Sequence, residues 1–97
     1  MKIAFGTDAG GFPWTEISQA KEFEHEVALG MSPLEAIRSA TTVAAELLGL
    51  AGQVGTIEKG AYADLVALRG DPLKDVSTLS KIDWVMKGGE VARSLAP

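Results

Sequence analysis

The distribution of apolar and polar positions divides the chain into a short extended start, a helical middle and a strand-rich end. Ile3, Ala4 and Phe5 form a brief apolar run that stops at Gly6-Thr7-Asp8-Ala9-Gly10-Gly11, which reads as a strand entering a glycine-flanked turn. Gly10-Gly11-Phe12-Pro13-Trp14 follows as a loop, because glycines license unusual dihedrals and Pro13 pushes Phe12 towards an extended conformation. From residue 15 the period changes. Ile17, Ala20, Phe23 (or Glu24) and Val27 recur at helical spacing, while Glu16, Lys21, Glu22, Glu24 and Glu26 fall on the other faces. The spacing predicts an amphipathic helix over residues 15–29, ended by Gly30.

Ser32-Pro33-Leu34-Glu35 is a capping box with proline at the first helical position, so a second helix starts there and carries Leu34, Ile37, Ala40 and Thr41 on one face. Residues 42–48 begin a new turn or a further helix closed by Gly49, and alanines at 36, 40, 44 and 45 let these helices approach closely. Beyond a turn-rich hinge at residues 52–55 the pattern becomes β-like. Thr56-Ile57 reads as a short strand, and Asp64-Leu65-Val66-Ala67-Leu68 as a strand covered on both faces. Gly70-Asp71-Pro72 breaks that run, and residues 73–79 read as a short helical turn over the sheet. A strand over residues 83–87, the pair Gly88-Gly89 and a returning strand over residues 90–93 form a hairpin signal.

Composition narrows the function classes. Ninety-seven residues suit one domain with a modest core, and 46% hydrophobic with 23% charged residues is ordinary globular usage. The net charge is −4 and the nine basic residues are scattered singly, which argues against a nucleic-acid partner. The absence of cysteine excludes disulfides and thiolate metal sites. No apolar run is long enough for a membrane span, and the segment after Met1-Lys2 is too short for a signal-peptide core. The chain therefore reads as soluble, without a membrane partner, and cytoplasmic by default.

Candidate chemistry centres on Asp8. A carboxylate at the carboxyl end of a strand stands where α/β enzymes keep their reacting groups. Asp in a glycine-flanked turn also forms Asx turns, and the local pattern leaves both readings open. Phe12 and Trp14 either wall a substrate pocket or cover a helix end. His25, the one histidine, lies among Glu22, Glu24 and Glu26 and reads as a solvated helix residue.

In order along the chain, Phe5-Gly6-Thr7-Asp8-Ala9-Gly10, Glu22-Phe23-Glu24, residues 28–37, residues 40–50, residues 55–66, Gly70-Asp71-Pro72-Leu73 and residues 85–89 resemble the carboxyl-terminal part of the metal-dependent amidohydrolases. The similarity is to the branch of imidazolonepropionase-like enzymes and of metallo-dipeptidases and carboxypeptidases that cleave Xaa-Pro or Xaa-Lys/Arg bonds. The resemblance implies an α/β fold. Residues 1–51 would be the last strand and helices of a (β/α)8 barrel, and residues 52–97 the carboxyl-terminal part of a small β-sandwich. A complete barrel needs about 250 residues, and the isolated chain would look α+β.

The resemblance further implies that Asp8 binds a divalent metal, zinc by preference, and acts as general base towards the attacking water, while Gly10, Phe12 and Trp14 border a small-molecule or dipeptide substrate. Histidines and a bridging lysine that complete such a site have no counterpart in these 97 residues, and His25 and Lys2 match none of them. Alone, the segment is expected to bind no metal and to be inactive. The upstream remainder of a longer protein, or self-association, would cover its exposed faces. A stand-alone structural or interaction module derived from an amidohydrolase tail is the alternative from a different class.

Overall fold

The computed structural model describes residues 2–6 and 18–94. Three helices come first: α1 (Lys21–Ala28), α2 (Pro33–Ala40) and α3 (Thr42–Leu47). Three strands follow: β1 (Leu65–Leu68), β2 (Ile82–Lys87) and β3 (Glu90–Ser94), with a 3₁₀ helix at Val76–Ser80 between the first two.

The helix ends are written in local chemistry. At the start of α2, Ser32 Oγ accepts from Glu35 N–H at 3.1 Å, and Ser32 N–H donates to Glu35 Oε1 at 3.2 Å. That backbone donor holds the Glu35 carboxyl below its ordinary range. At the end of α1, Met31 N–H reaches back to Glu26 O and Gly30 N–H to Val27 O. This is a Schellman closure, which requires the positive φ of 121° that Gly30 supplies. α3 ends the same way, with Leu50 N–H on Ala45 O and Gly49 N–H on Glu46 O. The α-helix expected over residues 15–29 begins only at Lys21. Residues 18–20 form a preceding turn, and residues 15–17 lie outside the described residues.

The sheet is antiparallel throughout, in the order β1-β2-β3. β1 pairs with β2 through Leu65 opposite Met86 and Val66 opposite Val85. The β2–β3 hairpin closes at Gly88-Gly89, whose φ values of 58° and 84° suit a type I′ turn. Asp64 pins that turn from the side, since its Oδ1 accepts from Gly88 N–H at 2.8 Å while Lys87 Nζ approaches Oδ2 at 3.3 Å. The Gly88 N–H, with the lysine in support, holds the Asp64 carboxyl below the ordinary aspartate range.

In the strand-rich end, one strand expectation fails and another differs in its cover. Thr56 lies in a bend and Ile57, 87% exposed, has no strand partner, because this stretch is a loop tied down by Tyr62 N–H on Gln53 O. β1 is not covered on both faces: Val66 and Ala67 are exposed, as no second layer among the described residues lies over them. The helical turn expected at residues 73–79 is the Val76–Ser80 3₁₀ helix. An Asx turn at Asp71 precedes it, and Asp75 caps it by accepting from Ser77 N–H.

Small residues make the core. Ala36, Ala45 and Val76 are the buried apolar side chains among the described residues. Val76 lies in the 3₁₀ helix, which packs against α1 and so joins the strand-rich end to the helices. Gly55 makes the closest approach: a Cβ added there would lie 2.5 Å from the Thr41 carbonyl oxygen, at the α2–α3 junction. The hinge read at residues 52–55 is therefore a packed contact, and Gly55, with φ of 76°, is required there twice over.

Candidate functional site

Residues 2–6 are the described part of the Asp8 motif. The strand expected at residues 3–5 is absent, because no strand among the described residues lies beside the segment; its backbone is held instead by Phe5 N–H on Ser39 O of α2, at 2.9 Å. Two side chains add to that seat. The Phe5 ring lies against Phe23 of α1 with centroids 4.6 Å apart and a tilt of 33°, within the range of a favourable aromatic pair. Lys2 Nζ reaches Glu46 Oε2 of α3 at 2.6 Å, an exposed pair worth at most about 1 kcal/mol. The segment thus touches all three helices.

Clefts flank it. One of about 310 Å³ is lined by Ile3, Ala4, Gly6, Glu22, Glu26 and Leu29, together with Met31. A second of about 330 Å³ lies between Lys2, Ile3 and the α1–α2 connection, with Glu35 and Arg38 at its rim.

Glu26, expected on the polar face of α1, is 9% exposed. Its two carboxylate oxygens lie 3.1 and 3.2 Å from Ser39 Oγ of α2, and Ser39 is itself 1% exposed. Burial raises the Glu26 carboxyl above its ordinary range; the Ser39 hydroxyl opposes that shift, and the charge of Glu22 adds to it. Periodicity carries little signal for this, since Glu26 stands only at the edge of the apolar stripe, beside Phe23, while Glu24 falls inside it. The partner of Glu26, thirteen residues further on, is invisible to periodicity.

Asp8, Gly10, Phe12 and Trp14 lie outside the described residues. His25 is exposed on α1, as expected of a solvated residue. Among the described residues no group of three or more His, Cys, Asp or Glu side chains could hold a metal ion, whereas a catalytic zinc site takes three protein ligands and a water. The described side chains therefore do not fit a metal by themselves. No helix among them is long and apolar enough to cross a membrane.

Comparison with known proteins places this arrangement. Residues 1–92 match the profile of the Amidohydrolase family. Ochratoxinase of Aspergillus niger is 37% identical over 97 residues, covering 94% of this chain and 19% of that protein. The crystal structure of a Xaa-Pro dipeptidase with bound methionine in its active site superposes with a TM-score of 0.89 and 42% identity, over 95% of this chain and 22% of the other. Adenine deaminase of Rubrobacter xylanophilus is 34% identical over 76 residues, 75% of this chain and 12% of that protein. The chain thus spans about a fifth of the length of the first of these relatives, and its mixed helices and strands correspond to the carboxyl-terminal part of such chains. With its sequence matched almost from end to end and its fold superposing on a hydrolase of known structure, the chain belongs to the amidohydrolase family.

Proposed function

We propose that this chain forms the closing part of a metal-dependent hydrolase that cleaves amide or peptide C–N bonds, with residues 1–51 ending a (β/α)8 barrel and residues 52–97 completing a β-sandwich. Asp8 is the metal ligand and general base, and Gly10, Phe12 and Trp14 border the substrate. The divalent metal, zinc by preference, supplies an acidified water when bound. The chain's own contribution is a carboxylate that takes a proton from that water and can return it to the leaving amine. Small amides and dipeptides are the substrate class, in keeping with relatives named ochratoxinase and Xaa-Pro dipeptidase.

The observation that carries this reading is the 42% identity over nearly the whole chain to a Xaa-Pro dipeptidase, with Thr7-Asp8 inside the 1–92 family match. The surface supports it. Leu29, Leu47, Leu48 and Ile57 are 70–90% exposed, and covering each such side chain stabilises by about 1.5–3 kcal/mol. Cover by further polypeptide is one way to gain that stabilisation, in keeping with this reading. The experiment is a chimera in which this chain replaces the matching fifth of the Xaa-Pro dipeptidase. It is expected to bind zinc and hydrolyse Xaa-Pro dipeptides, while the 97-residue chain alone does neither. A folded chimera without zinc or activity would overturn the proposal, and a hydrolytically active isolated chain would overturn its claim of dependence on further polypeptide.

A further inference from the structure

Glu26 and Ser39 are the two buried polar side chains among the described residues, and nothing in the proposed chemistry uses them. They join α1 to α2 beneath the residues that lead to Asp8. Ser39 receives the Phe5 N–H on its carbonyl oxygen, while its side chain meets Glu26. Glu26 in turn lines the cleft beside Ile3, Ala4 and Gly6. One residue of α2 therefore carries both the seat of the opening segment and the polar tie to α1.

The proton inventory of the pair is constrained. Ser39 Oγ lies 2.6 Å from the Ala36 carbonyl oxygen and 3.1 to 3.2 Å from the Glu26 carboxyl oxygens, yet a hydroxyl has a single proton to donate. The Ala36 contact is the shortest of the three, so it takes that proton when Glu26 carries one of its own. The Glu26 contact is then satisfied when Glu26 itself is protonated and donates to Ser39 Oγ. A continuous chain results, from Glu26 O–H to Ser39 Oγ and from Ser39 O–H to Ala36 O. In the ionised state the hydroxyl must turn to the carboxylate and leave the Ala36 oxygen facing a lone pair.

We infer that Glu26 and Ser39 are a positioning pair, a buried latch that tightens when Glu26 takes up a proton, fixing α1 against α2 and thereby setting the seat of residues 3–6 from which the chain continues to Asp8. The link to catalysis rests on the proposed role of Asp8; the latch itself does not. Glu22 is the one other ionisable group among the described residues lining the same cleft, and its charge favours the protonated state. Glu35, Arg38 and Lys2 line the neighbouring cleft. Asp75 and Lys81, which bracket the 3₁₀ helix packed on α1, interact with each other.

Amide hydrogen exchange by NMR on the 97-residue chain tests the latch without any metal or substrate, so its outcome is independent of the Asp8 assignment. The readout is protection of the Phe5 amide relative to the Ala45 and Leu50 amides in and just after α3, which bond to Thr41 O and Ala45 O, after correction for intrinsic rates. Phe5 protection is expected to rise severalfold as pH falls from neutral towards the ordinary glutamate value. Glu26→Gln, a neutral side chain that can still donate to Ser39 Oγ, keeps the protection and abolishes its pH dependence. Ser39→Ala lowers it about tenfold at unchanged α3 protection, the scale of one lost hydrogen bond. An unprotected Phe5 amide, a pH-independent wild type, or a Ser39→Ala chain with wild-type behaviour would each overturn the inference. Should Ser39→Ala lose α3 protection as well, the wild-type and Glu26→Gln profiles decide.

Discussion

The helical middle and the strand-rich end of this chain solve the same problem with different completeness. In the middle, each boundary is closed by groups within a few residues: the Ser32–Glu35 capping box and the Schellman closures at Gly30 and Gly49. Between them, Ala36, Ser39 and Ala45 are small enough to be buried without a large core. In the sheet, the turn is equally well made, with Asp64 on the Gly88 amide, but the faces are not finished. β3 is exposed along its whole length, and Val66 and Val91 stand more than half exposed. Helices can satisfy their backbone alone, whereas a sheet needs a second layer and partners at its edges. The difference lies in the backbone, which the helices satisfy locally and the sheet edges do not; apolar side chains stand exposed on both sides, Leu29, Leu47 and Leu48 among them.

The sharpest way to break the comparison is at Gly55, where the loop after α3 touches the α2–α3 junction. Gly55→Ala would place a methyl 2.5 Å from a backbone oxygen at a positive φ. It is expected to cost about 3 kcal/mol or more in urea unfolding. Gly89→Ala, at a similar φ with open space around it, should cost about 1 kcal/mol. Equal losses at the two positions would mean that the Thr41 contact is not the reason for Gly55.

Removing the cap separates local from global stability in the middle. Ser32→Ala is expected to cost about 1 kcal/mol and to accelerate amide exchange at Glu35, whose N–H loses its acceptor. An unchanged Glu35 exchange rate would show that the box contributes nothing to the start of α2.

The smallest expected effect concerns pH and the hairpin. Because the Asp64 carboxyl titrates below its ordinary value, the folded state holds its proton less tightly than the unfolded one. That contribution to stability is present above the unfolded value and is lost as pH falls through the lowered one. Asp64→Asn should flatten part of the acid limb of the thermal stability curve. Glu35 and Asp75, also lowered, act in the same sense, and Glu26, raised, in the opposite one. An acid limb identical in wild type and Asp64→Asn would remove Asp64 from this account.

What was legible in the sequence is what short-range chemistry encodes. Ser32-Pro33-Leu34-Glu35, Gly30, Gly49 and Gly88-Gly89 each announce a geometry that needs only neighbours in the chain, and each takes the expected form. The failures involve distant partners. Glu26 counted as polar because periodicity cannot see Ser39. Residues 3–5 read as a strand, yet a strand exists only by virtue of another beside it. Gly55 read as part of a turn-rich hinge because the Thr41 carbonyl that makes it indispensable is fourteen residues away. The candidate site was legible only as a carboxylate in a family pattern. One residue type in one short motif does not specify chemistry, and the histidines and lysine that the family pattern pairs with it have no counterpart among these 97 residues.

The most direct measurement of the central claim compares the dipeptidase chimera with its Asp8→Asn variant, reading the rate of Xaa-Pro hydrolysis and the zinc content of each. If Asp8 is ligand and general base, the substitution lowers kcat by about a hundredfold or more and weakens zinc retention while the chimera keeps its fold. An Asp8→Asn chimera that hydrolyses at the parent rate with full zinc would contradict the account.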